Sequence, residues 1–260
     1  MINSGSCHFM VFCAESDPLS SILKRFFYPG RAMVFYVGYA FGIILVGLVG
    51  ISVARLLPFS QSYYLISRFN CYALWLARVV CGIHCRIEGL EKVPVGPCVV
   101  VSNHESAWET YMTGLLFRPQ ATVLKQELMR IPFFGWALRP LKPIALDRSK
   151  PSAALKQLLR QGVERLQEGC WVVIFPEGTR IRPGQQGRYN KGAAMLAVKA
   201  GVPVLPLAHN AGKCWPPGQL SKIPGVITIV IGEPLPTAGK STQEVHDQLE
   251  NWIRTTAATL

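Results

Sequence analysis

The sequence predicts an α/β protein with a mixed, mostly parallel sheet flanked by helices and an N-terminal membrane-embedded helical element. Two observations support this prediction. From residue 84 onward, short β-branched runs alternate with helical stretches, which is the pattern of a sheet covered by helices on both faces. Before residue 84, the segment Ala32–Ala54 contains no charged side chain, and its length is sufficient to cross a bilayer.

The composition also favours a membrane-associated protein. Of the 260 residues, 50% are hydrophobic and 16% are charged, whereas soluble domains have about 25% charged residues. The net charge of +12 favours anionic partners, and together with the apolar content it points to a lipid surface. No Lys/Arg-rich helix, zinc-finger spacing or RNA-binding signature occurs, so no nucleic-acid partner is expected. The 8 cysteines form no C-x-x-C pair, and no metal site is predicted.

Three segments are predicted along the chain. Residues 1–31 form an irregular tail without the features of a signal peptide. Residues 32–83 form membrane-anchoring helices, and residues 84–260 form the α/β domain. In the anchor, Ala32–Ala54 is the apolar helix, and Tyr63–Gly82 is an amphipathic helix along the interface. Basic residues flank the apolar helix on both sides, so the positive-inside rule gives no orientation, and the helix could span the bilayer or re-enter one leaflet.

The α/β domain is predicted to contain seven strands and four helices. The strands are Cys85–Glu88, Cys98–Ser102, Thr122–Lys125, Ile144–Leu146, Trp171–Phe175, Val204–Ala208 and Val226–Ile231. The helices lie near residues 107–117, 152–168, 190–200 and 241–256. In sheets of this type, ligands bind at the carboxyl ends of the strands, so the residues that follow each strand are the candidates for a site.

The first candidate motif is NHESAWE, which follows a buried strand. His104 lies at the strand-to-helix turn and Glu109 lies in the helix. Positions five apart in one helix point about 140° apart, but a histidine just before the helix can meet the carboxylate. A carboxylate on one ring nitrogen fixes the tautomer and stabilises the imidazolium, which leaves the other nitrogen as a general base. Because no G-x-S-x-G elbow occurs, a substrate hydroxyl is the predicted nucleophile.

Asn103 precedes this histidine and is a candidate both for the site and for capping the helix. The alternative for the motif as a whole is a surface turn that carries an ordinary histidine. The spacing of His104 and Glu109 does not by itself decide between the two.

The second candidate motif is FPEGTR, at the end of another predicted strand. The turn is expected to bring Glu177, Thr179 and Arg180 to the sheet edge beside the first motif. The Arg180 guanidinium is a planar fork that suits a phosphate group, and Gly178 permits close approach of the backbone. The alternative is a plain turn with solvated charges.

Three further basic residues are candidates for binding an anion. Arg148 follows a strand in KPIALDR, where it could bind phosphate or pair with Asp147. Lys191 begins a helix, where backbone N–H groups and the side chain could hold an anion, unless the lysine is merely solvated. Lys125 ends a strand, and the apolar stretch Ile131–Leu138 that follows could line a groove for an apolar chain.

The blocks NHESAWE, PFFGWALRPLKPIALDR, FPEGTR and VPVLPLA occur in this order within residues 84–235. With the apolar N-terminal region, they make the chain resemble the glycerolipid acyltransferases. The resemblance is to the 1-acyl-sn-glycerol-3-phosphate (lysophosphatidic acid) acyltransferases in particular, the PlsC family. Each block alone is weak, but their joint occurrence in this order is highly specific.

The resemblance implies transfer of a fatty acyl group from acyl-CoA or acyl carrier protein to the 2-hydroxyl of lysophosphatidic acid, which gives phosphatidic acid. By match to the family motif, His104 is the general base and Glu109 stands where the family usually has aspartate. In the same way, Glu177, Gly178, Thr179, Arg180 and Arg148 match positions of the acceptor-binding blocks. An oxyanion donor is also required, and a backbone N–H or Lys125 are the candidates.

No cofactor or metal is expected, because the thioester is already activated. The expected partners are membrane lipid, lysophosphatidic acid, and acyl-CoA or acyl carrier protein. We expect the protein at the inner (cytoplasmic) membrane, with its catalytic domain on the cytoplasmic side. The length of the acyl chain would be set by a tunnel lined from Ile131–Leu138.

Three alternative functions are compatible with the sequence. The first is acyl transfer to another acceptor, such as lyso-ornithine lipid or another lysophospholipid. The second is a non-catalytic lipid-binding protein with this fold, although such a protein has no need of a general base. The third is a lipid hydrolase, which would release free fatty acid without an acceptor.

Overall fold

The computed structural model describes residues 19–260, with side chains from Pro29 onward except that of Arg55. The strands of this part are β1 (Ile83–Glu88), β2 (Val99–Ser102), β3 (Gln120–Lys125), β4 (Ile144–Leu146), β5 (Trp171–Ile174), β6 (Val204–His209) and β7 (Gly225–Ile231). The α-helices are α1 (Leu19–Ser52), α2 (Phe59–Cys81), α3 (Trp108–Leu116), α4 (Phe134–Leu138), α5 (Pro151–Gln167), α6 (Gly192–Ala200), α7 (Ala211–Cys214) and α8 (Thr242–Ala258).

The strands form one mixed sheet in the order β1-β7-β6-β2-β5-β3-β4. The five strands from β6 to β4 are mutually parallel, while β1 and β7 are parallel to each other and run against β6. The predicted mixed, mostly parallel sheet is therefore confirmed. All the predicted strands are present, and their ends differ from the prediction by at most two residues.

Helices cover both faces of the sheet, and alternate strand residues supply two separate cores. Val100 and Leu207 lie in the core under α2 and α3. Val99, Val101 and Ala208 lie in the core under α5, α6 and α8. Side chains of a strand alternate between faces, so a central strand covered on both sides must be apolar throughout. This explains the uninterrupted valines of β2.

The N-terminal helix is longer than predicted. Residues 19–31, predicted as part of an irregular tail, are helical and continue directly into the apolar segment. Residues 1–18 of that predicted tail lie outside the described residues. Absence of charge set the predicted start at Ala32, but it marks where the helix becomes apolar, not where the helix begins. Lysine, arginine, leucine and isoleucine, all present just upstream, are compatible with a helix.

One side of α1 packs against the rest of the protein from Phe35 to Gly50. A Cβ atom built at Gly42 would lie 2.6 Å from the Tyr72 ring of α2, and one at Gly47 would lie 2.5 Å from the backbone oxygen of Phe133. The glycines thus allow close approach. The opposite side of α1 exposes an apolar stripe, which consists of Met33, Val34, Val37, Phe41, Ile44, Leu45, Leu48 and Ile51.

In the described part of the chain, α1 is the one helix long and apolar enough to cross a membrane, over Pro29–Ser52. Its exposed apolar stripe is of the kind that marks contact with lipid. These features indicate membrane association.

Candidate active site

Four parallel strands end at the same edge of the sheet, and each supplies a candidate residue. His104 follows β2, Gly178 follows β5, Lys125 is the last residue of β3 and Arg148 follows β4. Because these strands run in the same direction, residues far apart in the sequence meet at one edge. The chain beyond β5 is joined directly to the first motif, since the Ile181 N–H donates to the His104 carbonyl at 2.8 Å.

His104 and Glu109 form a hydrogen-bonded pair. The distance from His104 Nδ1 to Glu109 Oε1 is 2.8 Å. Helix α3 begins at Trp108, so His104 lies before the helix. Its ring therefore can reach the carboxylate of Glu109 in the first turn, as predicted. The imidazole stacks on the Phe175 ring at a centroid distance of 4.2 Å. In the neutral imidazole, the Nδ1–H donates to the carboxylate, and Nε2 carries the lone pair that can accept a proton.

Glu109 is fully buried and held in place at the start of α3. Besides His104, its Oε1 accepts the backbone N–H of Ser106 at 2.8 Å and of Glu105 at 3.1 Å. Burial opposes ionisation, but the neighbouring His209, the hydrogen bond and charge interaction with His104, and the Ser106 N–H outweigh it and hold the pKa of Glu109 below its usual value. The carboxylate is therefore charged, and it can stabilise a positive charge that forms on the imidazole.

The Asn103 side chain links the end of β2 to His209, the last residue of β6. Its side-chain amide donates to the His209 carbonyl at 2.8 Å and accepts the His209 N–H at 3.0 Å. The His209 ring returns a bond from Nε2 to the Asn103 carbonyl, while Nδ1 accepts the Ala211 N–H. Burial lowers the pKa of His209, and these bonds define its neutral tautomer. The second N–H of the amide donates to Glu105 Oε1 at 3.2 Å. Asn103 thus fixes the backbone beside His104 and does not cap α3, whose N-cap residue is Ala107.

The FPEGTR turn places Thr179 and Arg180, but not Glu177, on the catalytic side. Gly178 has a φ of +68°, which favours glycine, and its carbonyl accepts a bond from the Arg148 guanidinium. Asp147 bonds Ser149 at 2.6 Å instead of pairing with Arg148. Thr179, Arg180 and Arg148 therefore present polar and basic groups at the same edge as His104.

Glu177 lies behind His104. Its carboxylate faces the Tyr189 hydroxyl and the His104 backbone, and burial raises its pKa to about 7. Its Oε2 atom is buried and has no hydrogen-bond partner among the described residues. Glu105, which sequence reasoning passed over, accepts the Gly212 N–H at 2.9 Å, and burial raises its pKa to about 7 as well. Neither carboxylate lines the cavity described below. Both therefore support the backbone around His104.

A cavity of about 770 Å³ opens at this edge and extends beneath α1 and α2. Its polar end is lined by His104, Lys125, Arg148, Gly178, Thr179 and Arg180. Its interior is mostly apolar and includes Ile43, Val46, Ile66, Phe69, Leu124, Leu128, Phe134, Ala137, Leu138 and Leu141. One end thus suits an anion, and the interior suits a hydrocarbon chain.

The two predicted lysines lie in different places. Lys125 lines the polar end of the cavity and pairs with Glu127 at 3.4 Å. Lys191 precedes α6, on the other face of the sheet, and its ammonium bonds Gln243 of α8. Lys191 is therefore not brought together with the other candidates. No group of three or more metal-ligating side chains occurs among the described residues.

Sequence reasoning missed the aromatic wall of the cavity. Tyr36 and Tyr39 of α1, Tyr111 of α3 and Trp215 line it, and the hydroxyls of Tyr39 and Tyr111 bond each other. The signal in the sequence was the pair of tyrosines inside the apolar helix. Tyrosine buries a ring and keeps a polar tip, so its presence on one side of α1 could have indicated a face turned toward a site.

An α/β sheet with a histidine–carboxylate pair at its carboxyl edge, beside basic groups and an apolar cavity, defines a lipid-modifying enzyme with a general base. Comparisons with known proteins agree. The acyltransferase family model matches residues 84–210. A 1-acyl-sn-glycerol-3-phosphate acyltransferase of Pseudomonas aeruginosa is 46% identical over 232 residues, which cover 88% of this chain and 90% of that protein.

Two further relatives extend the match. A chloroplastic 1-acyl-sn-glycerol-3-phosphate acyltransferase of Brassica napus is 35% identical over 64% of this chain and 49% of its own length. The crystal structure of the 1-acyl-sn-glycerophosphate acyltransferase PlsC from Thermotoga maritima superimposes with a TM-score of 0.75. It shows 26% identity over 91% of this chain and 97% of that one. This chain therefore belongs to the acyltransferase family, in the group of the 1-acyl-sn-glycerol-3-phosphate acyltransferases.

Proposed function

We propose that the protein transfers a fatty acyl group from a thioester to the 2-hydroxyl of lysophosphatidic acid and so makes phosphatidic acid. The observation that carries this proposal is the His104–Glu109 pair, 2.8 Å apart, at the polar end of an apolar cavity. A general base, an anion-binding edge and a chain-binding interior are what this reaction needs. The relatives named above catalyse the same class of reaction.

The proton transfers follow from the pair. Nε2 of His104 takes the proton of the 2-hydroxyl as its oxygen attacks the thioester carbonyl carbon. The imidazolium is stabilised by the charged, buried Glu109. When the carbon–sulfur bond breaks, the same proton passes from Nε2 to the leaving thiolate, which gives phosphatidic acid and a free thiol. His104 ends the cycle in its starting state.

Basic groups beside His104 would bind the acceptor. Arg180 and Arg148 both line the polar end of the cavity, and a guanidinium binds phosphate in two-point geometry. Lys125 lies at the same end and is the candidate that stabilises the oxyanion of the tetrahedral intermediate. No metal or other cofactor is part of the proposal, since acyl-CoA or acyl carrier protein brings an activated carbonyl.

The apolar interior would hold an acyl chain, and α4 forms part of its wall through Phe134, Ala137 and Leu138. We expect Leu138→Trp to shift the preferred acyl donor to shorter chains, because the larger ring fills space that the chain end would occupy. The measurement is the initial rate with a series of acyl-CoA chain lengths. The control is Ile131→Trp, which changes an exposed residue of the same segment. An unchanged chain-length profile for Leu138→Trp would rule out this wall as the determinant.

The proposed location is the inner (cytoplasmic) membrane, with the α/β domain on the cytoplasmic side, where a thioester donor can reach it. The packing of α1 favours insertion of this helix into one leaflet of the bilayer. Its packed side contacts the catalytic domain from Phe35, against Trp215, to Gly47, against Phe133. A helix bound along its length to a water-facing domain cannot carry that domain across the hydrocarbon, whereas its exposed apolar stripe can enter the near leaflet.

The test of the proposed function is acyl transfer by purified protein in lipid, with radiolabelled lysophosphatidic acid and either acyl-CoA or acyl carrier protein thioester. We expect labelled phosphatidic acid. Lyso-ornithine lipid and lysophosphatidylcholine serve as matched acceptors without a terminal phosphate, and we expect both to react at least tenfold more slowly, as one lost charge-assisted phosphate contact would cause. Equal rates with all acceptors would replace the proposal by a broader lysolipid acyltransferase. Free fatty acid without an acceptor would indicate a hydrolase.

A further inference from the structure

The loop between α7 and β7, residues 215–224, forms part of the mouth of the cavity. Pro217 and Gly218 line the cavity, as does Trp215 at the start of the loop. The other end is fixed at the sheet edge, since the Ile223 N–H donates to the Cys214 carbonyl at 2.8 Å. The 215–224 loop is therefore closed at its base, and its tip projects at the side where substrate would enter.

The tip of the loop is apolar and exposed. The Leu220 side chain is 75% exposed and that of Ile223 is 42% exposed. Among the described residues, the backbone N–H groups of Gln219, Leu220 and Ser221 donate no hydrogen bond to a backbone carbonyl. A leucine exposed at a loop tip is a poor fit to water, and it is stabilised when it moves into an apolar phase.

Lys222 fastens this loop to α1. The Lys222 side chain is buried, and its ammonium donates to the Tyr36 hydroxyl at 2.7 Å, the Leu220 carbonyl at 2.9 Å and the Gln219 carbonyl at 3.2 Å. It also lies over the rings of Tyr36, at 4.7 Å, and Trp215, at 4.9 Å. All three hydrogen-bonding positions of the ammonium are thus used to hold the loop tip against the helix.

The loop tip is thereby attached to the N-terminal part of α1, the helix that carries the exposed apolar stripe. Met33, Val34 and Val37, which flank the Tyr36 contact in the sequence, are exposed at 71%, 61% and 67%. Leu220 and Ile223 are exposed apolar residues of a loop that is bonded to this part of α1. The stripe is suited to a bilayer, and the loop carries further exposed apolar side chains near the mouth of the cavity.

We propose that the 215–224 loop is a second membrane contact, which dips Leu220 and Ile223 into the lipid surface and seats the cavity mouth at the level of the headgroups. The occupant of this surface is the bilayer itself, and Lys222 keeps the loop in register with α1. This inference rests on the proposed function, because a mouth at headgroup level serves an acceptor that enters from the bilayer.

The test uses Leu220→Asp, which places a charge at the tip, and Val95→Asp as the matched control. Val95 is an exposed apolar residue between β1 and β2 and lies at the opposite edge of the sheet. Rates are measured with long-chain lysophosphatidic acid in phosphatidylglycerol–phosphatidylcholine vesicles and with dissolved short-chain lysophosphatidic acid. We expect Leu220→Asp to lower the vesicle rate about tenfold and to leave the rate with dissolved acceptor unchanged. Leu220→Trp should keep the vesicle rate, because tryptophan suits the interface.

Hydrogen exchange gives a readout that does not depend on catalysis. In anionic nanodiscs, we expect the amides of residues 219–221 to exchange several-fold more slowly in the wild type than in Leu220→Asp, although they donate to no backbone carbonyl of the described residues. If the wild type acylates neither acceptor, the proposed function is wrong. The hydrogen exchange of residues 219–221 then tests the membrane contact of the loop independently of catalysis.

Three results would overturn the loop proposal. An equal loss of rate with both acceptors would place the effect of Leu220→Asp on the fold or on the chemistry. No loss in Leu220→Asp, or the same loss in Val95→Asp, would show that the loop makes no specific contact with lipid. Slow exchange that persists without lipid would point to a second protein copy on this surface.

Discussion

Replacing His104 by alanine should reduce kcat for acyl transfer by about 10²–10⁴-fold, the range contributed by a positioned general base. The variant loses the one ring nitrogen that can accept the proton of the acceptor hydroxyl. The acceptor KM should change little, because the phosphate contacts proposed for Arg180 and Arg148 are untouched. The measurement is steady-state transfer to lysophosphatidic acid, with kcat and KM determined separately.

His84→Ala is the matched control for this variant. His84 is an exposed histidine of β1 and does not line the cavity, so its removal should leave both kcat and KM unchanged. A thermal-unfolding comparison of the two variants excludes a folding defect, since the His104 ring also stacks on Phe175. Activity in His104→Ala within a few-fold of wild type would mean that a group other than His104 accepts the proton of the acceptor hydroxyl.

The sheet and the His104–Glu109 pair could be predicted because both depend on local rules. A run such as Val99–Val101 is apolar and β-branched, which favours a buried central strand. Once that strand is placed, His104 must lie at its carboxyl end, and the start of α3 decides that Glu109 can reach it. Each step needs only the neighbouring residues and the geometry of one helix.

The direction of side chains in turns could not be predicted in the same way. FPEGTR was correctly placed at a strand end, but Glu177 points back to Tyr189 and the His104 backbone while Thr179 and Arg180 face the cavity. Consecutive side chains in a turn point in different directions, and the positive φ of Gly178 reverses the chain between them. The change of chain direction at Gly178 cannot be predicted from the residue types of the motif.

The face of the sheet that a helix covers was equally hidden. Lys191 does precede a helix, as predicted, but α6 lies on the face opposite α2 and α3, so its start is remote from the cavity. Periodicity reports that a helix has an apolar side and does not report which sheet face receives it. Short helices such as α4 could not be predicted, because 5 residues are too few to show a helical period.

Glu109→Gln should reduce kcat by about 10³-fold, because the neutral amide no longer stabilises the imidazolium that forms on His104. Two backbone N–H groups point at Oε1, so the glutamine oxygen must take that position and can still accept the bond from His104 Nδ1–H. The geometry of the pair is then retained while its charge is lost. The amide nitrogen takes the place of Oε2, a buried atom without a partner among the described residues, which should cost about 1–3 kcal/mol of unfolding free energy.

Glu109→Asp separates charge from position. Aspartate is the residue that the family usually carries here, and it keeps the negative charge. Its side chain is one methylene shorter, while the backbone of His104 is held in place by the Asn103–His209 hydrogen bonds and by the Ile181 N–H. If charge dominates, as the buried, ionised state of Glu109 indicates, the aspartate variant should lose only about tenfold in kcat and remain well above Glu109→Gln. Rates in the order Gln above Asp would show that the carboxylate acts mainly by placing His104, and the proposed support of the imidazolium would then be wrong.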